Sequence, residues 1–205
     1  MFEKLKITHN TDAVAKHLKT LPDKYVRPAA HQAINTTLRN ARVEFSKRVR
    51  QRVSVKSGTV KDAMRERKAT RQELQAEISW KFAPLSLKEF GGVRQGKKGV
   101  SVTQLRGRRQ TIKSAFISEA MGGHVFRREG EKRRPSKGRY ADKRKRDGTP
   151  YTRQQVTKLF GPSMLSQAKI IMPGMRDWVN ERMAENARQA ANRFLAKAQR
   201  NGGRG

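Results

Sequence analysis

Residues 73–82 read Glu-Leu-Gln-Ala-Glu-Ile-Ser-Trp-Lys-Phe, and the fold class turns on this stretch. Leu74, Ala76, Ile78, Trp80 and Phe82 take alternate positions, with Glu73, Gln75, Glu77, Ser79 and Lys81 between them. Successive side chains of a strand point to opposite faces, so this spacing predicts a strand with one dry face and one wet face. A single solvated face is the mark of an antiparallel sheet. Pro84 ends the strand.

Upstream the period changes. Ile34, Leu38, Ala41, Phe45, Val49 and Val53 recur every three or four residues, which predicts a long amphipathic helix from Pro28 to about Val53. Pro28 is read as a first-turn proline, and Arg39, Arg42, Lys47, Arg48, Arg50 and Arg52 as a cationic back. The dry face of 73–82 needs a partner, so Trp80 and Phe82 are expected against the stretch Ile34–Phe45. Met1 to Ile7 reads as a short strand, and Asn10 or Thr11 as the cap of a helix carrying Val14 and Leu18 that Pro22 ends. Ser57-Gly58-Thr59 breaks the long helix, with Thr59 capping a short one through Met64 and Arg67.

Downstream, Gly91-Gly92 and Gly96 to Gly99 flank a loop. Val100 to Leu105, Thr111 to Ser118 and the short Val125-Phe126 read as further strands of a meander. Leu159-Phe160-Gly161-Pro162 and Pro173-Gly174 are turn signals. A second long helix runs from Met175 to Gln199, with a stripe of Met175, Trp178, Val179, Met183, Ala187, Ala190, Phe194, Leu195 and Ala198. The expected architecture is α+β: a small antiparallel sheet of three to four strands packed with two long amphipathic helices. Residues 1–205 are expected to form one domain, with 131–156 a basic loop insertion and 200–205 a flexible C-terminal end.

Charge bounds the function. The 205 residues hold 48 Lys+Arg against 17 Asp+Glu, a formal charge of +31. Such a chain repels itself and binds polyanions, so nucleic acid, an anionic membrane surface and acidic protein surfaces all fit as partners. No run approaches 18 apolar residues, and the start Met1-Phe2-Glu3-Lys4 has no apolar signal region, so a soluble protein made inside the cell is expected, with no membrane partner. Without cysteine there is no disulfide, thiolate nucleophile or Cys-type zinc site.

The chemistry-bearing residues do not assemble into a catalytic pattern. His9, His17, His31 and His124 lack metal spacing; no acid pair on an apolar background suggests a hydrolytic dyad. Glu129 and Glu131 sit among arginines, where charge compensation accounts for them. There is no G-x-S-x-G elbow, and Gly96-Lys97-Lys98-Gly99 lacks phosphate-loop spacing. No enzyme activity, metal or cofactor is expected. Two basic stretches stand out: 94–113, with seven Lys/Arg and no acid, and 127–146, with eleven against three acids. The second is either a solvated loop or one that orders on a polyanion or a subunit. The candidate contacts are Arg106, Arg108, Arg109, Arg127, Arg128, Arg133, Arg134, Lys143, Arg144, Lys145 and Arg146. Aromatics near them are few and no helix-turn-helix, RNA-recognition or KH signature occurs, so any DNA contact is expected at phosphates, independent of sequence.

The order "PLSLKEFGGVRQGKKGVSV", "TIKSAFIS", "GGHVFRREG", "LFGPS", preceded by "AAHQAINTTLRNARVEFSKRV" and "VKSGTVKDAMRERKA", resembles the minor tail protein Z family, the tail-completion proteins of tailed bacteriophages. It covers about Pro28 to Ser163. The family links its Val-Phe-Arg-Arg strand to its Leu-Phe-Gly-Pro turn by a short segment; here some twenty extra, mostly basic residues follow Arg134-Pro135. The resemblance implies a non-catalytic virion protein, assembled in the host cytoplasm and placed at the head-proximal end of the tail. There it would complete the tail, join it to the head and position the genome end for ejection. Implied partners are the tail terminator, tail tube and connector, with copies arranged as a homo-oligomeric ring and non-specific contact with phage DNA. The alternative from composition is a ribosomal or nucleoid-like basic protein; a nuclease lacks its acidic metal cluster.

Overall fold

The computed structural model describes residues 4–8, 12–81, 83–135 and 141–202. In chain order the elements are β1 (Lys4–Thr8), α1 (Asp12–Leu18), α2 (Asp23–Arg52), α3 (Ser57–Asp62), β2 (Met64–Arg67) and β3 (Gln75–Trp80). There follow β4 (Pro84–Ser86), β5 (Gly91–Gly96), β6 (Gly99–Leu105), β7 (Arg108–Lys113), β8 (Ala115–Ser118) and β9 (His124–Arg133). The last are β10 (Arg153–Lys158), β11 (Phe160–Ser163) and α4 (Met164–Gly202). The fold class is α+β, and the chain forms two compact units.

The first unit holds residues 1–52, 56–83 and 162–205. Its sheet is antiparallel in the order β1-β3-β2, with the alternating stretch at its centre. Opposite Ile78 lie Leu5 and Glu66; opposite Ala76 lies Ile7, and opposite Trp80 lies Met64. Leu5, Ile7, Met64, Ala76, Ile78 and Trp80 are all buried. The other face is wet, with Lys4 Nζ 3.1 Å from Glu77 Oε1. Glu66 falls on the dry side and is met there by Arg42 of α2 at 2.8 Å.

α2 packs on this sheet through Ile34, Leu38, Ala41, Phe45 and Val49 of the expected stripe, each 1% exposed or less, while Val53 lies past the end of the helix. Phe45 meets Trp80 at a centroid distance of 4.8 Å, an aromatic contact beyond mere burial. Phe82 lies outside the described residues, as do Asn10 and Thr11, the expected caps of α1. On the far side α4 packs against α2. There the Thr37 hydroxyl donates to the Ala33 carbonyl (2.9 Å) and accepts from Asn186 Nδ2 (2.9 Å), which satisfies both buried polar groups.

Several boundaries differ from the sequence reading. α2 begins at Asp23, so Pro28 lies inside it; with no N–H, it leaves the Lys24 carbonyl without its helical donor. The back of α2 is only partly free: Arg42 pairs with Glu66, and Arg48 Nε donates to Glu44 Oε1 at 2.8 Å. Met64–Arg67 is not helix but β2, because pairing with β3 buries Met64. α4 begins eleven residues before Met175 and runs through Pro173-Gly174 to Gly202. Ser163 starts it: its Oγ accepts from the Ser166 N–H at 3.1 Å, three residues on, as an N-cap does. Met164, Leu165, Ala168, Ile171 and Met172 carry the buried stripe back from Met175. Residues 203–205 lie outside the described residues.

The second unit comprises 53–55 and 84–161. It contains the sheets β5-β6-β7 and β10-β9-β8, and β4, which pairs with β11. Val53 to Val55 are stitched into it, with the Ser54 N–H donating to the Gln104 carbonyl (3.0 Å) and the Gly91 N–H to the Ser54 carbonyl (2.7 Å). Its core includes Val53, Leu87, Phe90, Val100, Val102, Ala115 and Val125. The glycine stretch 91–96 is a strand rather than a loop, held in register by β6. Thr111 to Ser118 is two strands in two sheets, broken at Ser114, whose φ is +59°. The short strand at Val125-Phe126 continues to Arg133. Leu-Phe-Gly-Pro is not a turn but leads into β11; a Cβ on Gly161 would collide with the Phe90 ring, so only glycine fits there.

Candidate polyanion and partner interface

All eleven candidate cations lie in the second unit, and all are exposed. Two hairpins carry them. In the first, β6 turns into β7 at Arg106-Gly107, with Gly107 at φ +78°, a value that L side chains avoid. Arg106 and Arg108 project to solvent, while Arg109 Nη2 donates to Ser101 Oγ at 2.9 Å.

The second hairpin is β9–β10, and it reshapes the stretch read as the loop insertion 131–156. Residues 131–133 belong to β9 and residues 153–156 to β10, so the insertion has a paired stem. Arg127 and Arg128 are neighbours in sequence but point to opposite faces of the strand. Arg127 Nε donates to Glu129 Oε1 at 2.8 Å. This bond, with one from Thr157 and the nearby guanidinium charge, holds the Glu129 carboxyl below the usual carboxylate range. Arg128 instead lies over the Phe116 ring, 4.8 Å from its centroid. One of the two is charge-compensated and the other is stacked.

Beyond Glu129 the ladder slips. Gly130, at φ +73°, Glu131 and Lys132 bulge opposite Gln154, whose Nε2 donates to the Gly130 carbonyl at 2.9 Å. Arg133 then pairs with Arg153 across the strands, two like charges side by side. Together with Arg134 they line a cleft of about 560 Å³ that also includes Glu129 and Glu131.

The tip is a tight turn. The Lys145 N–H donates to the Thr149 carbonyl (2.8 Å) and the Gly148 N–H to the Lys145 carbonyl (3.0 Å). Asp147 Oδ1 accepts from the Thr149 N–H (2.9 Å) and hydroxyl (2.6 Å), and these bonds lower its carboxyl pKa. Arg144 Nη1 donates to the Gly148 carbonyl at 3.1 Å, and Arg134 Nε to the Ala141 carbonyl at 3.1 Å. Lys143, Lys145 and Arg146 are exposed on the same turn. Lys137, Arg139 and Tyr140 lie outside the described residues.

The sequence reading missed His124. Its Nδ1 lies 2.9 Å from Ser86 Oγ and its Nε2 3.1 Å from Lys158 Nζ. Desolvation first, then Lys158 and Lys88, lower its pKa against an opposing pull from Glu89. Only the folded sheet joins residues so far apart in sequence. Among the described residues no His, Asp and Glu cluster could hold a metal ion, and no helix is long and apolar enough to cross a membrane.

Exposed cations on two hairpins form a surface suited to anionic partners. The family model of the prophage minor tail protein Z (GPZ) matches residues 10–173, most of the chain, and the chain belongs to that family. It is therefore a structural component of a phage tail that contacts other tail proteins. Comparison with curated proteins and with solved structures gave no match.

Proposed function

We propose that this protein completes the tail at its head-proximal end, helps join tail to head and positions the genome end for ejection, without catalysing a reaction. Residues 1–205 act in this as one tail-completion domain, in several copies set in a ring that follows the tail's symmetry. Tail terminator, tail tube and connector are the neighbours this position brings. The supporting observation is the placing of eight of the eleven candidate cations on a single hairpin, from Arg127 to Arg146, in a member of a tail family. An exposed cationic hairpin suits phosphates because it neutralises them without needing to read bases.

Complementation tests the reading. A prophage lacking this gene should accumulate filled heads and unjoined tails, and the purified protein added to that lysate should restore infectious particles. Normal infectivity without the protein would overturn the proposal. So would complete tails that join to heads and fail only at attachment to the host cell.

A further inference from the structure

One face of the β10-β9-β8 sheet is apolar and cationic at once. The register sets Phe116 opposite Phe126 and Phe126 opposite Lys158, with Arg128 opposite Val156 one rung along. Phe116 and Phe126 stack at 6.0 Å. Each cation is seated on a ring: Arg128 over Phe116 at 4.8 Å and Lys158 over Phe160 at 5.5 Å. Val156 and Phe160 are nonetheless 40% and 49% exposed, large apolar groups that water does not favour.

We propose that this face docks an acidic protein surface with an apolar centre, carried by another component of the tail. Both charged side chains at these positions are cationic, so the complementary partner is anionic. The same face of a second copy fits poorly, since it would set Arg128 and Lys158 against their own like charges. Duplex DNA supplies phosphates but no apolar surface for Val156 and Phe160 to bury. A cation already lies over the Phe116 ring and another over the Phe160 ring, which leaves less of each ring for base stacking. A protein surface answers both features. The apolar pair would supply the dehydrated centre of the contact, and the ring-seated cations its charged border. The face is distinct from the hairpin tip beyond Gly130, which is mostly polar and basic.

The test uses the full chain and tails purified from a prophage lacking its gene, free of DNA, in a co-sedimentation assay. The parent should bind these tails, and binding should weaken as salt is raised. The double variant Val156→Ser/Phe160→Ser keeps the net charge and alters exposed positions only. It should bind tails at least tenfold more weakly, yet bind duplex DNA within twofold of the parent and melt at nearly the same temperature. Arg128→Glu should weaken tail binding by a similar factor, through charge instead of apolar area. Undiminished tail binding by the double variant would overturn the proposal, as would failure of the parent to bind tails. A parallel loss of DNA affinity would assign the face to nucleic acid instead. Self-association of the parent, abolished in the double variant, would make it a contact between copies. Failure of the tip to act in genome positioning would leave all these readouts unchanged.

Discussion

Ile78 has no exposed surface and sits between Leu5 and Glu66 in the central strand of its sheet. Ile78→Asp would bury a carboxylate there, and Arg42, which reaches the neighbouring Glu66, is already paired with it. The variant should lose several kcal/mol, on the order of a buried-charge penalty, read as a collapse of the thermal transition. Unchanged melting would mean that β3 does not face α2. His124 makes a prediction in pH. Its folded-state pKa lies below the ordinary histidine value, so between the two values the unfolded chain binds more protons than the native one. Its contribution is therefore present in full above about pH 6.5 and is lost as the pH falls toward the folded pKa. An NMR titration should place the imidazole midpoint below 6.5, and Lys158→Met should move it upward by removing one of the charges that lower it. A midpoint at or above 6.5 in the parent would contradict the Ser86–His124–Lys158 arrangement.

Among the elements, α4 and the β9–β10 hairpin invite direct tests. The start of α4 depends on Ser163, whose hydroxyl caps the first turn. Ser163→Ala should cost about 1 kcal/mol of stability, a shift of a few degrees in Tm, while Ser163→Asp should be nearly neutral. Equal stability of the alanine variant would show that packing of Met164 and Leu165 holds the turn without its cap. The hairpin stem ends at the Arg133–Arg153 pair, so the chain enters and leaves the tip at adjacent points. Deleting Ser136 to Thr149 and closing the gap with a short glycine linker shortens a loop, a change of only about 0.6 kcal/mol per twofold change in length. The variant should stay folded by circular dichroism yet rescue fewer infectious particles in the complementation assay. Full rescue would make the tip a dispensable solvated turn, and unfolding would make it part of the core. That a stem exists at all was not legible in the sequence. Residues 127–146 look uniformly polar, and strand pairing there is decided by β10, which lies beyond the tip.

For the whole molecule, the charge balance leaves little choice. Even if each of the 17 acids paired with one of the 48 cations, 31 cations would stay uncompensated. Affinity for duplex DNA of any sequence should therefore fall steeply with salt, with a log–log slope of roughly −0.9 for each phosphate neutralised. Filter binding across a salt series measures this. Salt-insensitive or sequence-selective binding would point to base recognition, which the tail reading does not include. Such binding by itself does not separate a tail protein from any other strongly basic chain; the family match over residues 10–173 does that.

The sequence by itself determined the two amphipathic helices, the alternating strand and the surplus of charge, because each is written in local spacing or in simple counting. Ile34 to Val53 and Leu74 to Trp80 need no knowledge of distant residues to be assigned a face. The motif order also carried the family, since it depends on residue identity and not on folding. Only the tertiary structure decided β2, β5 and β11, which local propensity reads as helix, glycine loop and turn. Each is a strand because another strand lies beside it: Met64 beside Trp80, Gln95 beside Val100, and β4 beside β11. It alone divided Arg127 from Arg128, pairing one with Glu129 and seating the other on Phe116. Backbone pairing and cross-strand contacts are set by which strand comes to lie alongside, and no local pattern records which partner that will be.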